Sequence, residues 1–138
     1  MIAHATMIPL SSMKPVDSVD AVNVYDHDMC GDTRFYFNNT IRYLQDVRAD
    51  IKAAAFDDRL KREVLVNTDM LILGAELCMI KTTKKLTEEK RNELLDLIDA
   101  IRAENKELWE YRNFSEGIEL YDNHMINRRA ELEAFVCE

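Results

Sequence analysis

The sequence has few of the residues that turn or cross-link a chain: three glycines, two prolines and three cysteines in 138 residues. Because turns usually need glycine or proline, this shortage predicts long elements with few connections. Three widely spaced cysteines, an odd number, do not indicate a disulfide framework and favour a reducing compartment. We therefore predict a cytoplasmic protein; if the chain is a fragment of a longer one, its location stays open.

The chain also lacks long apolar runs and an excess of basic residues. Its most apolar segment, residues 70–80, is shorter than the roughly 20 residues that cross a bilayer and contains Glu76. Asp and Glu outnumber Lys and Arg by 26 to 18, which gives a formal net charge of −8. Such a charge opposes binding to a phosphate backbone or an anionic bilayer. We therefore expect neither nucleic acid nor a membrane as a partner.

The periodicity of the sequence changes after its first quarter. Residues 1–33 contain both prolines and no sustained period, which predicts an irregular lead-in with at most one short helix. Over residues 34–138, apolar residues recur at steps of three and four, the spacing of a helical face. Breaks near Asp57, Thr87 and Ser115, each a suitable helix cap, divide this domain into about four helices. The sequence therefore predicts an all-α fold, an antiparallel helical bundle with short connections.

Each predicted helix carries an apolar stripe that we expect to face the core. The second helix should be central, because its stripe widens after Met70 until apolar residues cover most of its circumference. The stripes comprise Phe37, Ile41, Leu44, Arg48, Ile51 and Ala55 in the first helix; Leu60, Val64, Asn67, Leu71, Ala75 and Cys78 in the second; Leu94, Ile98, Ile101, Asn105 and Leu108 in the third; and Ile118, Tyr121, Met125 and Leu132 in the fourth.

Few residues form a pattern that would support chemistry. The acidic run 26–32 resembles a calcium loop in part, but the position that should hold a bidentate carboxylate is Phe37, which favours a solvated turn. His124 has no neighbouring nucleophile, and Cys78 lies in the most apolar helix, where a thiol is inert. We predict no catalytic residue, metal ligand or cofactor in this chain. A small enzyme or metal-binding protein built on residues 26–32 is the least favoured alternative.

The only tryptophan, Trp109, ends the third predicted helix. Arg112 follows three residues later on the same helical face, and Asn113 lies where the helix stops. A large aromatic side chain at such a junction usually packs between helices, and Arg112 would then hold the following loop. The alternative is an edge that faces carbohydrate or another domain. Trp109, Arg112 and Asn113 are therefore the predicted substrate-vicinity or domain-interface residues.

This segment carries a resemblance to a known family. It reads Leu108-Trp109-Glu110-Tyr111-Arg112-Asn113 and then Gly117-Ile118-Glu119. It resembles the C-terminal helical region of some bacterial family 20 glycoside hydrolases, the β-N-acetylhexosaminidases, and residues 60–132 are loosely similar to the same region. The chain departs from the pattern at residues 114–116, where relatives often carry a proline.

The resemblance implies a helical module attached behind a catalytic (β/α)₈ barrel. Such a barrel needs about 250 residues, so the family's catalytic pair has no counterpart here. The first hypothesis is thus a noncatalytic module of a glycosidase that braces the barrel or a subunit interface, with the rest of the enzyme as partner and carbohydrate nearby. The alternative is a stand-alone acidic interaction domain that dimerises with a second copy.

Overall fold

The computed structural model describes residues 33–111 and 117–138, and within these ranges it consists of four α-helices without a strand. The helices are α1, Thr33–Ala53; α2, Asp58–Thr83; α3, Glu88–Trp109; and α4, Ile118–Ala134. The predicted all-α fold with four helices is confirmed. The irregular lead-in predicted for residues 1–33 lies outside the described residues, apart from Thr33.

Two helices begin at the caps that the sequence predicts. The Asp57 side chain accepts a hydrogen bond of 2.8 Å from the Leu60 backbone N–H at the start of α2. Thr87 accepts one of 3.2 Å from the Lys90 backbone N–H at the start of α3. Each bond satisfies an N–H group that has no partner within its helix. The cap predicted at Ser115 lies outside the described residues, and α4 instead follows Gly117 without a side-chain cap.

Ion pairs between α2 and α3 show that the two helices are antiparallel. Arg62, near the start of α2, donates hydrogen bonds of 2.5 and 2.9 Å to Glu104, near the end of α3. Lys90, at the start of α3, lies 3.3 Å from Glu76 in the second half of α2. The start of each helix therefore lies beside the end of the other, as the short connection between them requires.

The core forms around the second half of α2, which confirms α2 as the central helix. Buried residues from all four helices meet there. The inner faces predicted for α3 and α4 supply many of them. The members are Phe37, Val66, Leu73, Leu77, Cys78, Ile80, Leu86, Leu94, Ile98, Ile101, Leu108, Met125 and Leu132.

The inner face predicted for α2 is wrong up to Leu71, whereas Ala75 and Cys78 of the same stripe are buried as predicted. Leu60 and Asn67 are exposed, and Leu71 is 36% exposed, whereas Leu73 is fully buried. The reason lies in α1, which packs against the neighbouring side of α2. Arg48 of α1 forms a bidentate ion pair with Asp69 on the side of α2 that α1 covers, whereas Leu60, Asn67 and Leu71 lie away from that side and face solvent.

One buried residue of α4 was absent from the predicted stripes. Arg128 is 2% exposed because it lies on the same helical face as Met125 and Leu132. Its Nη2 lies 3.1 Å from Glu131, while its Nε and Nη1 make no hydrogen bond. Burial lowers the pKa of the guanidinium, although Glu131 acts in the opposite direction.

Helices α3 and α4 are joined by a bidentate ion pair with a testable pH dependence. Arg102 donates hydrogen bonds of 2.6 and 3.0 Å to Asp122, and these bonds hold the pKa of the carboxyl below its usual value. The unfolded chain therefore binds the proton more strongly. The stability that the carboxylate contributes is present above the unfolded pKa near 4 and is lost as the pH falls through the lower folded value.

We expect Asp122→Asn to lower the free energy of unfolding at neutral pH, and we expect that deficit to shrink below about pH 4. Urea unfolding of both proteins across this pH range measures the difference. Asp96→Asn replaces an exposed aspartate of α3 and serves as the control. A deficit of Asp122→Asn that stays constant over the whole range would contradict a role for the ionised carboxylate.

Candidate functional site

Trp109, the last residue of α3, packs at the point where the chain turns into α4. The centroid of its ring lies 6.4 Å from that of Tyr121, with 30° between the ring planes. A Cβ atom added to Gly117 would lie only 2.8 Å from Cζ2 of the indole. Gly117 has φ −88° and ψ −18°, which any residue can adopt, so glycine is needed here for space alone. We call Trp109, Gly117 and Tyr121 the indole corner.

We expect Gly117→Ala to lower the free energy of unfolding by about 1–2 kcal/mol, because the added methyl group must displace the indole. Chemical denaturation followed by circular dichroism measures the effect. Glu119→Ala, at an exposed position in the first turn of α4, should cost about 0.5 kcal/mol or less. Combined with Trp109→Phe, whose ring is smaller, Gly117→Ala should cost less than it does alone. Equal costs in both backgrounds would show that the methyl group does not meet the indole.

A groove of about 310 Å³ opens beside the indole corner, between α2, α3 and α4. Its volume is at the lower end of the range for small-molecule sites. The groove combines two aromatic rings with two carboxamides, one carboxylate and three apolar side chains. Its lining residues are Glu63, Val66, Asn67, Met70, Asn105, Leu108, Trp109 and Tyr121.

The polar groups of the groove differ in the hydrogen bonds that they make within the protein. The Tyr121 hydroxyl donates a hydrogen bond of 3.0 Å to Sδ of Met70, and Asn67 Nδ2 donates one of 2.9 Å to the Glu63 carbonyl oxygen. Nδ2 of Asn105 is buried, and the Asn105 side chain interacts with the Tyr121 hydroxyl. Burial raises the pKa of Tyr121 to about 12, although the neighbouring Asn105 amide acts in the opposite direction. The phenol is therefore neutral at physiological pH.

The negative charge in the groove has a cationic neighbour. The side chain of Glu63 is only 13% exposed, and one of its carboxylate oxygens lies 3.7 Å from Nε of Arg59. The Arg59 guanidinium in turn lies 4.8 Å from the centre of the Tyr111 ring. The lining residues thus present aromatic surface, two carboxamides and one partly compensated carboxylate.

The other residues that the sequence singled out as possible site residues lie elsewhere in the protein or outside the described residues. Arg112 and Asn113, predicted to act with Trp109, lie outside the described residues, as does the acidic run 26–32. His124 is half-buried on α4. Cys78 is buried in the core as predicted, and burial raises the pKa of its thiol to about 11. Within residues 33–111 and 117–138, no group of three or more His, Cys, Asp and Glu side chains is placed to hold a metal ion.

Asn67, Asn105 and Tyr121 lie on the helical stripes that the sequence predicts, but the pattern indicates no site for them. A carboxamide on an otherwise apolar stripe was the available signal, because a buried amide needs a partner. The periodicity of each helix by itself could not show that the side chains of three helices meet in one groove.

Comparison of the chain with protein-family models, curated proteins and solved structures gives no significant match. The resemblance to family 20 glycoside hydrolases therefore still rests on residues 108–119. Among the helices of the described residues, none has both the length and the apolar character needed to cross a membrane.

Proposed function

We propose that the chain is the noncatalytic helical module of a carbohydrate-active enzyme of the family 20 glycoside hydrolase type, and that it braces the catalytic barrel or a subunit interface. The observation that carries this proposal is the indole corner. The tryptophan and the glycine of the segment that resembles the family fill adjoining space and join α3 to α4. At least Trp109 and Gly117 of this segment therefore have a packing role within the module.

The surface around this corner supports a bracing role. Because the helices are antiparallel, α2 and α4 begin at the end of the bundle where α3 stops. This end carries half of the large apolar side chains that are exposed among the described residues, namely Phe56, Leu60, Tyr111 and Leu120. We call these four residues the apolar end. Single exposed apolar residues are common, but a group at one end suits contact with another domain.

Two measurements test the noncatalytic assignment. We expect the reading frame upstream of codon 1 to encode a (β/α)₈ barrel. We expect the purified chain to hydrolyse 4-nitrophenyl N-acetyl-β-glucosaminide no faster than buffer does. Turnover that copurifies with the folded chain would contradict the assignment, and so would a complete transcript that encodes this module without a barrel.

A charge placed in the apolar end tests the bracing role within the complete enzyme. Leu120 is 69% exposed, so Leu120→Asp should leave the stability of the isolated chain unchanged within about 0.5 kcal/mol. In the complete enzyme it should lower the midpoint of thermal inactivation, because the charge would be buried against the barrel or a subunit. Val136→Asp, 85% exposed near the other end of the bundle, is the matched control. Equal midpoints for both variants would contradict bracing through this surface.

A second candidate function is a stand-alone acidic interaction domain that pairs with a second copy of itself. The observation that favours it is again the apolar end, which a second copy could cover. Sedimentation equilibrium of the isolated chain separates the two candidates. A concentration-dependent dimer that Leu120→Asp abolishes would favour self-association, and a monomer at all concentrations would favour the enzyme module. For the stand-alone candidate we propose the cytoplasm, on the basis of the cysteine content; for the enzyme module, a fragment of a longer protein, the location stays open.

A further inference from the structure

We propose that Met70 is a site of oxidation by hydrogen peroxide, and that its sulfoxide rearranges the indole corner. This modification goes beyond the proposed function and does not rest on it, because it involves only side chains within the helical bundle. The position of the Met70 sulfur atom, its hydrogen-bond donor and the two aromatic rings beside it support the proposal.

The sulfur atom of Met70 ends a series of polar contacts that crosses three helices. Met70 lies on α2, and its Sδ accepts a hydrogen bond of 3.0 Å from the hydroxyl of Tyr121 on α4. The side chain of Asn105 on α3 interacts with the same hydroxyl. The thioether is the readily oxidised member of this series. A chemical change at Met70 therefore acts on side chains of all three helices.

Met70 can be reached through the groove beside the indole corner. Its side chain is half-buried and lines that groove, which has a volume of about 310 Å³. Hydrogen peroxide is little larger than water, so it fits there. The hydrogen bond from Tyr121 engages one lone pair of the sulfur and leaves the other for reaction.

The reaction is a transfer of one oxygen atom to sulfur. The free lone pair attacks one oxygen of the peroxide, and an S–O bond forms as the O–O bond breaks. The second oxygen leaves as hydroxide and takes the proton from the oxygen now bound to sulfur, which gives water. The sulfur of Met70 is oxidised by two electrons to the sulfoxide, and the peroxide is reduced by the same two electrons.

The sulfoxide would alter the contacts of both aromatic rings. Oxidation converts an apolar side chain into a polar one, whose new oxygen is a stronger acceptor than the thioether sulfur. The Tyr121 hydroxyl lies 3.0 Å from Sδ, so its ring must move to donate to the added oxygen. The centroid of that ring lies 6.4 Å from that of Trp109. Movement of Tyr121 therefore changes the surroundings of the indole.

Two other methionines of the described residues serve as internal references. Met79, also half-buried on α2, lines a cleft of about 510 Å³ whose described lining residues include no aromatic ring. Met125 is only 1% exposed in the core. Because oxidation follows exposure, peroxide should modify Met70 and Met79 severalfold faster than Met125. Of the three sulfoxides, that of Met70 should be the one that affects Trp109.

The test treats the folded 138-residue chain with hydrogen peroxide and follows each sulfoxide by peptide mass spectrometry. Cleavage after glutamate separates Met70 from Met79, because Glu76 lies between them. We expect the emission of Trp109 to change at the rate at which the Met70 sulfoxide forms. Met70→Leu should abolish this change, whereas Met79→Leu, the matched substitution on the same helix, should retain it.

Two results of this experiment would overturn the proposal. The first is a folded chain in which Met79 is fully oxidised while Met70 stays unmodified. The second is an equal change of Trp109 emission in wild type and Met70→Leu, which would show that the signal comes from another oxidised residue.

Tyr121→Phe tests the hydrogen bond to the sulfoxide, because it removes the hydroxyl and keeps the ring. The wild-type hydroxyl supplies a donor to the new oxygen, so oxidation should lower the urea midpoint less in wild type than in Tyr121→Phe. The other methionines oxidise in both proteins, and their contributions cancel in this comparison. Equal shifts of the midpoint would contradict the proposed rearrangement.

Discussion

Replacing Leu73 with alanine should lower the free energy of unfolding by about 3 kcal/mol. Leu73 is fully buried in the second half of α2, where all four helices contribute to the core. The substitution removes buried apolar surface and leaves a cavity that the packed neighbours can close only in part. Urea denaturation followed by circular dichroism measures the loss.

Leu71→Ala is the matched control, because it makes the same change two residues earlier on the same helix. Leu71 is 36% exposed, and we expect a loss of about 1 kcal/mol or less. The pair also tests how α2 is oriented, since the sequence pattern placed Leu71 on the inner face. A larger loss for Leu71→Ala than for Leu73→Ala would show that α2 faces the core with the opposite side.

Replacing Trp109 with alanine should also cost about 3 kcal/mol, although the indole is only half-buried. The substitution removes the ring that packs beside Tyr121 and over Gly117, so α4 loses this aromatic contact with the end of α3. Thermal and chemical denaturation followed at 222 nm measure the loss without the tryptophan signal.

Tyr111→Ala removes a comparable aromatic ring two residues further along and is the control. Tyr111 is exposed, so its loss should cost about 0.5 kcal/mol. Similar losses for the two variants would mean that the indole contributes no more than an exposed ring, and the indole corner would then not hold α3 and α4 together.

Local signals predicted where the helices begin. Asp57 and Thr87 precede apolar periodic segments, and their side chains do accept hydrogen bonds from the first turns of α2 and α3. Such caps depend on residues three positions apart, which a sequence shows directly. The all-α fold followed from the same signals together with the long helical period.

The face that each helix turns towards the core was harder to predict than the residues at which the helix begins. A stripe of residues such as Leu60 and Leu71 shows that one face of α2 is apolar, but not which helix covers it. That choice depends on contacts distant in sequence, such as the ion pair between Arg48 and Asp69. Arg128 was missed for a related reason: its spacing from Met125 places it on the inner face, but its charge favoured a position in water.

Of the residues at the candidate site, the sequence predicted a role for Trp109 only. Trp109 stood out as a single large aromatic residue at a helix junction. The need for glycine at position 117 could not be read from the sequence, because it arises from the approach of the indole and not from the backbone angles. The groove depends on three helices meeting, which brings Glu63, Asn105 and Tyr121 together across 58 positions of sequence.

The central claim is that the indole of Trp109 is packed into the corner that joins α3 to α4. Acrylamide quenching of the fluorescence of this single tryptophan tests the claim most directly. We expect the quenching constant of the native chain to be severalfold smaller than that of the chain in urea, and we expect Gly117→Ala to increase it. A native chain with full helix content and a quenching constant equal to that in urea would contradict the claim.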